Sequence, residues 1–355
     1  MCDSPARSMI TAVKSHNGYH GCHKCIVKGE YAGNQGNLGG RVVFLKTDEE
    51  ERTDAMFRNN SYKHHYNASL PKSVLLKLKI DVIKSILLDY MHVTCLGVMK
   101  KLMTLWKSNY LTTYEIDEIS RVLEEIKKFI PREFARKTRG LAHLKHFKAT
   151  EFRLQLLYIA AFAFKNILDE DLYKHFLYIH VAMRLLVDEI KCQSYAGYCK
   201  DLMKWFVKKS AENYGKQFVS HNVHSLIHLA DDVNTFGSLD RYSAFPFENN
   251  LQKVKNLIRT NGRQLQQLAN RLGEIEENAR NIRHHNAERL RYNQLELNDS
   301  HRDGPLPSNV NAENVKQFKK LIKKNVFLSL NASDCFVMLV DLSIAKICNF
   351  YRCNI

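Results

Sequence analysis

Two short pairs of metal-ligating residues, set about 200 residues apart, constrain this chain more than anything else in it: Cys22-His23-Lys24-Cys25 and His224-Ser225-Leu226-Ile227-His228. A C-x2-C loop lets two thiolates reach one ion, and histidines four apart lie on one face of a helix with both rings pointing the same way. Cys22, Cys25, His224 and His228 therefore make a Cys2His2 set suited to Zn2+. If one ion takes all four, it staples an N-terminal loop to a late helix and turns the chain between them into an insertion. The plain alternative is a pair of surface cysteines and a core histidine helix, with His16, His20, His23 and His221 as competing donors. Nine cysteines without a basic-then-apolar leader point to a reducing compartment, and to free thiols or metal ligands before a disulfide framework.

The 355 residues are 45% hydrophobic and 25% charged, enough to bury a core in one large or two medium domains. Lys and Arg number 53 against 37 Asp and Glu, a net charge of +16 that favours a polyanionic partner such as nucleic acid. The longest apolar run, residues 156–164, is far short of the ~20 residues a bilayer demands, so no membrane span is expected. Residues 72–297 hold few glycines and prolines and carry 3.6-period stripes, which predict helices. One runs from Ile116 to Ile130 and stops at Pro131; another, Leu265, Leu268, Leu272 and Ile275, reads as a further core helix. The first 45 residues are glycine-broken and read as loops ending in one strand at 41–45. Residues 298–314 read as a polar linker. Lys316 to Lys324 read as a nuclear-localisation cluster or one charged face of a helix, and residues 335–340 and 344–350 as a small hairpin.

Two acids flank the ligand pairs. Asp3 lies 19 residues before Cys22, and Glu248 lies 20 residues after His228. A shared ion would bring them together, and convergent carboxylates are what Mg2+ needs for two-metal phosphoryl transfer. Taken singly, each reads as a helix cap or a surface charge. The densest basic stretch holds Lys127, Lys128, Arg132, Arg136, Lys137, Arg139, Lys145 and Lys148 around the single acid Glu133, and it suits a phosphate backbone or a solvated helix end equally. Asp89 and His92, in Leu88-Asp89-Tyr90-Met91-His92, sit in an apolar stretch where a core histidine is as natural as a functional one.

Several stretches together resemble a DDE transposase of the CACTA (En/Spm) type, in an animal version, from Cys2 to about Arg271. They are Cys2-Asp3-Ser4-Pro5-Ala6-Arg7, His16-x-Gly18-Tyr19-x-Gly21-Cys22-x2-Cys25, Leu88-Asp89-Tyr90-Met91-His92, His224-x3-His228-Leu229 with Gly237-Ser238-Leu239, and Pro246-Phe247-Glu248-Asn249-Asn250. The zinc arrangement is similar to that in the catalytic subunit of the V(D)J recombinase, where the same two pairs flank an insertion between the last two acids. The resemblance implies a mainly α (α+β) fold: the C-terminal part of a ribonuclease H-like core, a large helical insertion and a short C-terminal β element.

By segment, it implies a zinc-loop and strand portion at 1–70, the insertion at 71–220 and returning core helices at 221–297. The linker at 298–314 and a small basic β element at 315–355 follow. Asp3 becomes the second acid and Glu248 the third, with Asp89 and His92 recommended but without a role. The first acid belongs upstream of Asp3, where only Met1 and Cys2 stand. The expectation is therefore a transposase-derived DNA-binding protein that performs no strand transfer, with structural Zn2+, and Mg2+ only where the triad is complete. DNA as partner, possible homo-oligomers and the nucleus follow from the same likeness. The rival readings are a truncated gene model of an active cut-and-paste transposase and a recruited scaffold protein without catalysis.

Overall fold

Asp3 opens the first helix, Ser4–Thr11, by accepting a hydrogen bond from the Ala6 amide at 2.9 Å, and Pro5 sits in the first turn, where its missing N–H costs nothing. The expectation of loops and a single strand over the first 45 residues is thus corrected twice. A helix precedes the glycines, and β1 (Glu30–Ala32) pairs antiparallel with β2 (Arg41–Val43). The computed structural model describes residues 3–34, 39–286, 295–308, 310, 315–323 and 326–353. The fold is mainly helical, about 53%, with about 12% strand in small sheets. Among the described residues no helix is long and apolar enough to cross a membrane.

By compactness the chain divides into two units, residues 1–123 with 138–248 and residues 124–137 with 249–355. The first unit is built around helix Glu170–Leu186 packed on helix Ala196–Tyr214. Asp169 caps the former by accepting from the Asp171 and Leu172 amides. Trp106, fully buried, packs its ring 5.3 Å from Phe164 and 5.6 Å from Phe176 and donates its indole N–H to Tyr214 at 3.1 Å. Such a ring with a satisfied N–H fixes where its neighbours can sit.

Residues Met91–Met99 form a wide π-type helix that lies against helix His221–Ser225. Gly97 permits the approach: a Cβ there would fall 2.5 Å from Asn222 Nδ2 and 2.9 Å from the His92 carbonyl oxygen.

In the second unit, β4 (Val315–Lys323) is the central strand. It pairs antiparallel with β3 (Glu296–His301) on one edge, and with β5 (Val326–Ser329) and β8 (Phe350–Cys353) in succession on the other. Lys316, Lys319, Lys320 and Lys323 therefore ride on a strand and not on a helix face, and residues 298–301 of the expected linker belong to β3. Lys324 and residues 309 and 311–314 lie outside the described residues. The small hairpin forms where the alternation predicted it, β6 (Phe336–Met338) on β7 (Ile344–Lys346). Segment 124–137 joins this unit through Arg132, whose guanidinium sits 3.9 Å over the Phe327 ring and whose amide donates to Asp334.

Candidate metal centre and the residues around it

The C-x2-C loop and the histidine helix meet in the first unit. Cys22 and Cys25 Sγ lie 3.5 Å apart, Cys25 Sγ lies 3.3 Å from His224 Nε2, and Cys22 Sγ lies 3.6 Å from His228 Nε2. All four donor atoms lie within 4.8 Å of one another, and all four residues are buried. A tetrahedron around an ion with bonds of about 2.0–2.3 Å has edges of about 3.3–3.8 Å, so the set can hold a metal ion such as zinc. His224 is on helix His221–Ser225 and His228 in the following 3-10 turn, Leu226–His228, which keeps both rings on one side. Burial opposes charge on Cys22, but the hydrogen bond with Cys25 and the neighbouring His228 outweigh it and hold this thiol well below its ordinary value. Four protein donors leave no open position, the pattern of a structural site.

Residues that sequence reasoning passed over brace the loop. Lys24, inside the C-x2-C, donates to Asp232 Oδ1 at 2.6 Å and to the Ile83 carbonyl at 3.1 Å. Arg52 donates to the Cys22 carbonyl and lies 4.7 Å over the Tyr62 ring. A second group of donors, Glu51, His228 and Asp231, shares His228 with the ligand ring and has its donor atoms within 4.8 Å of one another, and Lys200 bridges its two carboxylates at 2.7 and 2.8 Å. An ammonium already takes the cation position between the two carboxylates. The only sequence signal for Asp231 and Asp232 is their place one turn beyond His228.

Asp232 also reaches the 88–92 motif, accepting the Leu88 amide at 2.9 Å through Oδ2. Asp89 is 1% exposed and accepts from the Ala244 amide at 2.9 Å, while its Oδ2 lies 2.5 Å from His92 Nδ1. Tyr90 donates to Asp240 at 2.5 Å and accepts from Arg153 at 2.6 Å, and Arg153 in turn pairs with Asp240 at 2.7 Å. Burial pushes the Tyr90 phenol far above its ordinary value. His92 Nε2 faces Glu248 Oε1 at 3.5 Å. The Asp89 hydrogen bond raises the His92 pKa against the effect of burial, and the charges of Asp89, Glu248 and Asp3 add to it. Asp3 and Glu248, 245 positions apart in sequence, therefore act on one imidazole.

Asp3 is at the same time the cap of the first helix, and Glu248 stands in the first turn of helix Phe245–Leu257 with its side chain 57% exposed. Among the described residues, neither acid belongs to a group of three donors within 4.8 Å. The basic stretch is shared between the units, with Lys127, Lys128, Arg132, Arg136 and Lys137 in the second and Arg139, Lys145 and Lys148 in the first. Part of its charge is engaged locally. Arg139 grips Glu151 with two bonds of 2.7 and 2.9 Å, Lys127 pairs with Glu124, and Lys137 donates to the Ile130 carbonyl. No protein family, curated protein or solved structure matches the chain.

Proposed function

We propose that this chain is a transposase-derived, zinc-stapled DNA-binding protein related to the CACTA type, carrying the later part of a ribonuclease H-like DDE core. The observation that carries this reading is at the staple: four buried donors from two ends of the first unit meet at tetrahedral spacing, and beside it Glu248 lies 3.5 Å from His92, whose pKa the charge of Asp3 also helps to raise. In this reading Cys22, Cys25, His224 and His228 hold Zn2+, which supplies cross-linking and no chemistry of its own. Asp89 orients His92, and Asp3 and Glu248 take the places of the second and third acids. Among the described residues Asp3 and Glu248 share no third donor of the kind that two ions about 3.5–4 Å apart require, and the function proposed is DNA affinity.

The affinity is electrostatic, from a chain of net charge +16, with Arg136, Lys145 and Lys148 among its phosphate contacts. The test is metal content and duplex binding on the full chain. One zinc per chain, lost in Cys22→Ser, is expected, with a binding constant falling linearly against salt on a log–log plot and a shallower slope after Arg136, Lys145 and Lys148 are neutralised. Zinc-free protein, or binding indifferent to salt, defeats the proposal. Mg2+-dependent strand transfer that disappears in Asp3→Ala would restore the enzyme reading.

A further inference from the structure

Helix Gln264–Asn286, in the second unit, carries an apolar stripe that is largely exposed among the described residues. Leu265, Leu268, Leu272 and Ile275 recur at intervals of 3, 4 and 3 residues. That is the 3.5-residue repeat of a coiled-coil seam and narrower than the stripe of a core helix. Leu265 is 83% exposed, Leu272 46% and Ile275 51%, with Leu268 half-buried, against the expectation that this stripe is core. We infer that this helix is a self-association surface, and that its stripe takes the same helix of a second copy of this chain in a parallel, in-register coiled coil.

Charge selects that occupant and that orientation. With Leu265 and Leu272 at the first apolar position of each heptad, Arg271 falls on one flank of the seam and Glu276 on the other, five residues ahead. In a parallel in-register pair these flanks face each other, so Arg271 of each copy meets Glu276 of the other, twice by symmetry. Within one chain Arg271 pairs with Glu274 at 2.8 Å and Glu276 with Arg280 at 2.9 Å, both on the surface, so exchanging partners costs little. Gly273 points outward, with open space where a Cβ would stand, and does not obstruct the seam. Leu at the first position with Ile275 at the second admits more than two strands, so the mass gives the number of copies directly. The stripe lies in the second unit and the four metal donors in the first.

The experiment is sedimentation equilibrium of the zinc-loaded full chain over a wide concentration range, without DNA. A concentration-dependent oligomer is expected, and Leu268→Asp with Leu272→Asp abolishes it while leaving zinc content and far-UV circular dichroism unchanged. Arg271→Glu weakens association about tenfold, and Arg271→Glu combined with Glu276→Arg restores it. A wild-type monomer at every concentration, or an oligomer that survives the double leucine change, overturns the inference. An oligomer that the charge exchange fails to restore overturns the parallel arrangement.

Discussion

Removing Asp232 should nearly unfold the first unit, although this residue is no metal ligand. Its carboxylate holds Lys24 Nζ at 2.6 Å, with the two side chains 10% and 4% exposed, and accepts the Leu88 amide at 2.9 Å. Asp232→Ala leaves a buried ammonium with one partner, the Ile83 carbonyl, and strands the amide. Orphaning one member of a buried ion pair costs about 3–5 kcal/mol, and an unsatisfied buried amide about 1–3 kcal/mol. A combined loss of about 4–8 kcal/mol is comparable to the whole stability of many domains, about 5–15 kcal/mol. Urea unfolding of the zinc-loaded protein reads it directly, because both tryptophans, Trp106 and Trp205, lie in the first unit. Adding Lys24→Met to Asp232→Ala removes the orphan charge and should recover about 2–4 kcal/mol. A loss below about 1 kcal/mol, or a double variant no more stable than Asp232→Ala, would refute the argument that a buried pair clamps the metal loop to the 88–92 motif.

His175 stacks on Phe206 at 4.3 Å, donates from Nε2 to the Phe206 carbonyl, and is depressed to about 4 by burial. It stays neutral in the folded chain while the unfolded chain protonates it near pH 6.5. The stability it protects is complete above about pH 6.5 and falls as the pH drops towards 4, by about 3 kcal/mol in all; His175→Leu should flatten that acid limb in a pH series of urea midpoints. Gly97→Ala should cost about 1–3 kcal/mol by forcing the π-type helix off Asn222, and an unchanged urea midpoint would show that the packing yields. His92, raised by its Asp89 hydrogen bond, contributes stability that is full below about pH 6.5 and disappears as the pH rises through its folded value. Asp89→Asn should move the His92 titration, followed by NMR, to lower pH; no movement would mean that Asp89 does not control this ring.

The metal centre was legible because its information is local: a two-residue gap brings two sulfurs together, and a three-residue gap on a helix brings two rings together, whatever lies between. Its braces were not. Lys24 and Asp232 are separated by 208 positions, and a lone lysine and aspartate carry no pattern that announces a buried pair. The first helix was missed because the glycines that follow outweighed the Asp3-Ser4-Pro5 start, a cap and first-turn proline that were there to read. Leu265 to Ile275 was read correctly as a helical stripe, but periodicity gives only that a face is apolar and not which molecule buries it. Lys316 to Lys323 went to strand because the apolar residues between them pair across a sheet, and composition is silent on partners so distant in sequence.

The distance between the two halves of the metal set also schedules the birth of the protein. Cys25 leaves the ribosome 199 residues before His224, a delay of about 10–40 s at about 5–20 residues per second. Throughout that interval the two thiols have neither His224 nor His228 beside them, and the helices between the pairs must find one another before the donor set is complete. For the cluster to take a metal ion, that ion must arrive late, at an almost finished chain whose Cys22 and Cys25 are still reduced.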